Sequence, residues 1–249
     1  MKVTGGKQYY GEAIGIALLD SCYYPIIPGD VGNASTYDFP VRMKVIKGLK
    51  DNPFPPIQDR SGNYCTDVLK TINAVKELEE EGVRAVVMCC GFFSLLQKVL
   101  VREVDIPVFT SPLIMIPLIL QIIPKGRYIG IITASAKRLT HEYLEPVGIN
   151  PEMPLVIAGL EDSTEFYGTH MGGTRTIMDV DLLRSEIIAI ATDFVKRNPD
   201  IGAILLECTS LPSFAADIQS AVEIPVFDYI GFINLLYNSV VQKSYRGFL

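Results

Sequence analysis

The stretch Ala85-Val86-Val87-Met88-Cys89-Cys90-Gly91 returns 118 residues later as Ala203-Ile204-Leu205-Leu206-Glu207-Cys208-Thr209. The match continues without a gap to Val104-x-Ile106-Pro107-Val108-Phe109 against Val222-x-Ile224-Pro225-Val226-Phe227. This gives seven identities over 25 positions, where unrelated segments of ordinary composition would share roughly one or two. A fainter echo sets Ile14-Gly15-Ile16 on Ile129-Gly130-Ile131, at an offset of 115. The chain reads as two related halves.

Each half alternates short β-branched runs with amphipathic segments, the pattern of parallel strands joined by helical crossovers. The expected strands are Ile14 to Leu19, Val83 to Met88, Pro107 to Phe109, Tyr128 to Thr133, Leu155 to Ala158, Ala203 to Leu206 and Pro225 to Phe227. Val68, Ile72, Val75 and Leu78 keep helical spacing up to Gly82, and Leu182 to Val195 does so after Asp179,. Arg138 to Val147 and Ile230 to Lys243 are two further expected helices. Tyr23 to Asn63 and Gly159 to Thr176, the latter with Gly168, Gly172 and Gly173, read as long irregular loops, either covers over a site or plain surface,.

Composition narrows the function classes. Of 249 residues, 49% are apolar and 20% charged, which excludes disorder and fibrous folds,. Twenty-eight acidic against 22 basic side chains, without a basic run, exclude nucleic acid and an anionic membrane as partners,. Five cysteines (Cys22, Cys65, Cys89, Cys90, Cys208) are an odd, uneven set, expected as free thiols in a cytoplasmic protein,. Lys2 and Lys7 before the apolar run Ala13 to Leu19, ending near Cys22, faintly imitate a lipoprotein signal, but Glu12 and Asp20 speak against one,. Val108 to Ile123 is too short for a membrane span and reads as a buried or interface helix,. Its Leu113 to Ile123 part makes a homodimer credible.

The repeat preserves a hydrophobic strand, a cysteine at its carboxyl end, a small residue and then a helix. That edge of an open parallel sheet is where ligands bind. Gly91 after Cys90 and Thr209 after Cys208 place each thiol at an expected helix N-terminus, which favours the thiolate and cradles a carboxylate,. Two thiols facing each other across a cleft suit proton transfer at a stereocentre, one removing the α-proton while the other supplies a proton to the opposite face. Cys89 should point to the other side of its strand and belong to the core, with Cys22 and Cys65 incidental.

At these residues the chain resembles the cofactor-independent aspartate/glutamate racemase superfamily, which includes hydantoin racemases, arylmalonate decarboxylase and maleate isomerase. The resemblance implies an α/β fold of two pseudo-symmetric domains, 1–111 plus 228–249 and 112–227, each a short, mostly parallel sheet flanked by helices. The active site lies in the cleft between them, with no cofactor and no metal. It implies Cys90 and Cys208 as the acid/base pair, with Thr209 after the second thiol and Gly91 beside the first. Asp20, in Asp20-Ser21, matches the family's Asp-Ser after the first strand, and Thr133 and Ser135 fall where relatives place carboxylate-binding hydroxyls. The loop Gly29-Asp30-Val31-Gly32-Asn33 resembles a substrate cover, with Asn33 as its candidate contact. Glutamate racemases carry Asn-Thr and Thr-His after their cysteines, whereas this chain carries Gly91-Phe92 and Thr209-Ser210. Phe92 and Phe93 fit either a less polar substrate or helix packing. Glu207 fits a thiol-tuning group, an ammonium ligand or a structural carboxylate.

The expected activity is inversion of the α-carbon of a small amino acid, carboxylate or hydantoin. The alternatives are a cysteine-dependent cis–trans isomerase or other small-carboxylate enzyme of the same superfamily, and a non-catalytic small-carboxylate binding protein. Retention of both cysteines disfavours the decarboxylase branch. No Walker loop or Gly-x-Ser-x-Gly elbow occurs, and His141 and His170 lack ligand spacing,.

Overall fold

The computed structural model describes residues 5–7, 10–21, 23–50, 56–172 and 175–248. Lys2, Cys22 and Gly173 lie outside the described residues.

In the first half, β1 (Ile14–Leu18) lies between β2 (Val41–Val45) and β3 (Ala85–Met88), with β4 (Val108–Phe109) beyond β3. In the second, β5 (Tyr128–Thr133) lies between β6 (Leu155–Gly159) and β7 (Ile201–Leu206), with β8 (Val226–Phe227) beyond β7. All pairings within the two sheets are parallel and the registers repeat. Ile14 faces Ala85 as Ile129 faces Ala203, and Val86 faces Val108 as Ile204 faces Val226. The two sequence offsets therefore mark the two neighbouring central strands of one duplicated unit.

Helices cover both faces of each sheet, which is why the central strands are apolar throughout rather than alternating. Below the first sheet, α1 (Thr66–Glu81) packs Val68, Val75 and Leu78 against Val86 and Met88, and Gly82 caps it at φ 98°,. A 3-10 turn over Gly91–Leu96 leads into α2 (Gln97–Leu100), and a second over Pro112–Met115 into α3 (Ile116–Ile122). The second half adds α4 (His141–Leu144), α5 (Thr164–Phe166), α6 (Val180–Arg197), α7 (Ala215–Val222) and α8 (Tyr229–Val240). Asp179 caps α6 by accepting a 3.0 Å bond from the Leu182 amide,.

The echo glycines are packing requirements. A β-carbon on Gly130 would stand 2.8 Å from the Phe194 ring of α6, and one on Gly15 would press on Leu78 of α1 at 3.2 Å. The final helix returns to the first sheet: Tyr229 and Ile233 of α8 share a buried cluster with Ile14, Ile16, Val87 and Phe109. The Tyr229 hydroxyl donates to the Thr110 carbonyl at 3.2 Å.

Four expectations change. The Tyr23 to Asn63 loop contains β2, whose Arg42 and Lys44 pair with Glu12 and Glu81 instead of joining the core, so its apolar signal is weak. Of the expected Gly159 to Thr176 loop, the part up to Met171 is largely regular, since Gly159 ends β6, α5 follows, and Tyr167–Met171 is a π-helix, whereas Arg175 and Thr176 are irregular as expected. Arg138 to Val147 is a short α4 continued by a 3-10 turn, because Pro146 cannot extend the α-helical bonding,. Val108 to Ile123 is a strand, a turn and a helix rather than one helix. Leu118 and Ile122 of α3 are 52% and 61% exposed. No described helix is long and apolar enough to cross a membrane.

Candidate active site

The carboxyl ends of β1, β3, β5 and β7 converge on a cavity of about 370 Å³. The first half lines it with Leu18, Ser21, Cys90 and Gly91, the second with Ala134, Arg138, Cys208 and Thr209. A larger apolar groove of about 660 Å³, between α3 and α8, carries no cysteine.

Both repeat cysteines open onto the smaller cavity. Cys90 is extended (φ −155°, ψ 130°) and its carbonyl accepts the Phe93 amide at 3.0 Å. The Cys208 carbonyl accepts the Leu211 amide at 3.2 Å, and the following 3-10 turn begins only at Leu211. The expected helix N-termini are thus short 3-10 turns. Burial, then the neighbouring Glu207, pushes the Cys208 thiol up to about 12, against a 3.4 Å contact with Ser210 Oγ that acts the other way. That is the reverse of the thiolate-favouring setting expected from the sequence.

Glu207 stands behind the two cysteine loops. Its Oε2 accepts a 2.7 Å bond from Thr133 Oγ1, while Oε1 is buried without a hydrogen-bond partner among the described residues. Burial raises this carboxyl to about 7, opposed by the Thr133 bond and by Arg138.

The other candidates separate. Gly91 and Thr209 line the cavity. Thr133 is fully buried and reaches the site only through Glu207. Ser135 donates to Glu161 at 2.8 Å, and Asp20 accepts the Gly48 amide at 2.7 Å, anchoring the turn after β2. Asn33 accepts from the Ser35 amide and donates to the Ile26 carbonyl, so it shapes the cover loop rather than facing the cavity. Cys89 packs against the first-half core as expected, and it also lines the cavity and accepts the Leu19 amide at 3.1 Å. Cys65 packs against the first-half core.

Sequence reasoning missed the charged and aromatic lining. Arg138 lies 5.2 Å from the centroid of the Phe92 ring, and Asp30, in the cover loop, faces the cavity with Tyr24. His170 is stacked between Tyr24 (centroids 3.8 Å) and Phe166 (4.4 Å), and burial lowers it to about 4, so it is neutral. Position in the nominated loop was the only signal for Asp30. Nothing local marks Arg138. Among the described residues no three metal-ligating side chains converge.

The family profile described as Asp/Glu/Hydantoin racemase matches residues 46–231. The chain belongs to the Asp/Glu/hydantoin racemase family. Solved members of that fold align over almost its full length. Unliganded arylmalonate decarboxylase gives a TM-score of 0.54 at 15% identity over 93% of this chain and 95% of that one. An aspartate racemase homologue from Pyrococcus horikoshii gives 0.50 at 18% identity over 90% and 98%. Among curated relatives, a dimethylsulfoniopropionate lyase of Durusdinium sp. clade D is 30% identical over 224 residues, covering 88% of this chain and 71% of that protein. Dimethylsulfoniopropionate lyase 6 of Emiliania huxleyi is 30% identical over 244 residues, covering 94% of this chain and 61% of that protein. The chain therefore spans less than two thirds of the Emiliania huxleyi relative.

Proposed function

We propose that this racemase-family chain is a lyase that removes the proton α to a carboxylate and expels a β-substituent, with dimethylsulfoniopropionate as the substrate. The observation that carries this reading is the setting of the Cys208 thiol, buried beside Glu207. Two-base inversion requires each thiol to serve in turn as thiolate, and a thiol at about 12 is ionised to only about 1 part in 10⁵ at pH 7,. One-base elimination has no such requirement.

In this mechanism Arg138, the one Lys or Arg among the described residues lining the cavity, holds the carboxylate and stabilises the enediolate-like charge,. Cys90 takes the α-proton, the Cα–H pair becomes the Cα–Cβ π bond, and the Cβ–S pair leaves with sulfur as neutral dimethyl sulfide. Acrylate remains, and Cys90 returns its proton to solvent. Cys208 stays a thiol and acts as a hydrogen-bond donor to the substrate. The cysteine positions and the lyase names of the relatives support this assignment.

The retention of both repeat cysteines favours a second reading, two-base racemisation. Incubation with dimethylsulfoniopropionate in D₂O, followed by headspace chromatography and proton NMR, separates the two. Equimolar dimethyl sulfide and acrylate are expected. Deuterium entry with stereoinversion of an amino acid or hydantoin, without sulfide release, would overturn the lyase reading in favour of the racemase.

A further inference from the structure

The cavity is electrically bipolar. Arg138 stands over the Phe92 ring beside the first cysteine loop, whereas Asp30 stands with Tyr24 on the cover loop. We propose that Asp30 and the Tyr24 ring form the onium-recognising wall of the site, so that the ligand class is a zwitterion carrying its carboxylate toward Arg138 and a dimethylsulfonium toward Asp30. The choice of sulfonium rests on the lyase reading above, but the cation site does not.

Asp30 is 3% exposed and its position is built in. The Val31 amide donates to the Thr209 carbonyl at 3.3 Å, and Gly29 packs on the Ser213 backbone, tying the cover loop to the opposite half beside Cys208. Of its two carboxylate oxygens, Oδ1 accepts the Gly32 amide at 2.7 Å and, among the described residues, Oδ2 accepts only a long 3.4 Å bond from the Tyr24 hydroxyl. The titratable groups around it are Tyr24 on its own loop, Tyr37 beyond that loop and Cys208 after β7. None of these is a cation. Burial raises the Asp30 carboxyl to about 6, which leaves it ionised at neutral pH.

The surrounding rings decide the kind of cation. An ammonium asks for three hydrogen-bond acceptors. A dimethylsulfonium has no N–H or O–H and asks only for negative potential and apolar surface. The Tyr24, His170 and Phe166 stack supplies the surface, and since His170 is neutral it adds no opposing charge. Aromatic faces attract onium groups most where water is excluded.

The test uses an unreactive pair of equal shape, dimethylsulfonioacetate and 3-methylbutanoate, differing only in S⁺ against C–H. Neither has the β-leaving group needed for elimination. Calorimetric titration of the wild type at pH 7.5 is expected to show the sulfonium binding at least about tenfold tighter. In Asp30→Asn that preference disappears, while the affinity for 3-methylbutanoate changes by less than about twofold. In the unmutated protein the preference also shrinks at pH 5, where Asp30 becomes neutral, so the proposal is tested even if the variant misfolds. Equal affinities in the wild type, or an undiminished preference in Asp30→Asn, overturn it. An Asp30-dependent preference without dimethyl sulfide release from dimethylsulfoniopropionate sinks the lyase reading and leaves the cation site standing. Sulfide release without the preference does the reverse.

Discussion

The carboxyl of Glu207 occupies the space that a side chain at Gly91 would need. A β-carbon there would collide with Glu207 Oε1 and stand 2.7 Å from the Glu207 carbonyl oxygen. The residue beside the first thiol is thus glycine because of the residue beside the second. Gly91→Ala should destabilise the fold by about 1–3 kcal/mol through overpacking. Chemical denaturation of Gly91→Ala, Glu207→Ala and the double variant measures the coupling, and strictly additive losses would contradict this packing.

Stability should depend on pH through Glu207. Its ordinary value is 4.5 and its folded value about 7, so the folded state holds the proton more tightly than the unfolded state. The stabilisation is full below pH 4.5 and is lost as pH rises to about 7, a change of the order of 3 kcal/mol. Glu207→Gln keeps an acceptor for Thr133 and removes the titration. Urea midpoints for this variant should decline less than those of the wild type between pH 5 and pH 8.

His170 acts with the opposite sign. Burial lowers it from 6.5 to about 4, so the stability it contributes is present above pH 6.5 and lost as pH falls toward 4,. In the wild type this offsets the gain from Glu207 over part of the acid range. His170→Phe keeps a ring between Tyr24 and Phe166 and should hold its urea midpoint at pH 4.5 better than the parent. An equal drop in both would remove His170 from the acid limb.

Thiol chemistry reports the setting of Cys208. With its thiol at about 12, Cys208 should react with iodoacetamide at pH 8 at least about tenfold more slowly than an ordinary exposed cysteine,. Neutralising its neighbour in Glu207→Gln should raise that rate. Peptide mapping by mass spectrometry reads both, and rapid alkylation of Cys208 in the wild type would refute the burial argument.

The roles proposed for the two thiols predict unequal catalytic losses. Replacing the general base in Cys90→Ser should lower kcat for sulfide release by roughly 10²–10⁴-fold, with a smaller loss in Cys208→Ser. Equal abolition by both changes, measured by headspace chromatography, would show that elimination uses the thiols as a pair.

The amino-acid sequence by itself determined the duplication, seven of the eight strands to within two residues at each end, and the placing of Cys90 and Cys208 at the carboxyl edges of their two sheets. Apolar periodicity and an internal repeat are carried by neighbouring residues, so they can be read without knowing the fold. It did not disclose β2, because Arg42 and Lys44 find their acidic partners on other segments and mask a short edge strand. Nor did it disclose that Asp20, Asn33 and Ser135 hold loops together while Asp30, Tyr24, Arg138 and His170 line the cavity. The setting of the Cys208 thiol was likewise a tertiary decision. Cys90 and Cys208 occupy equivalent places in the repeat, but ionisation depends on burial and on charges brought in by folding, and the Glu207 carboxyl that raises Cys208 is packed between the two cysteine loops, against Gly91.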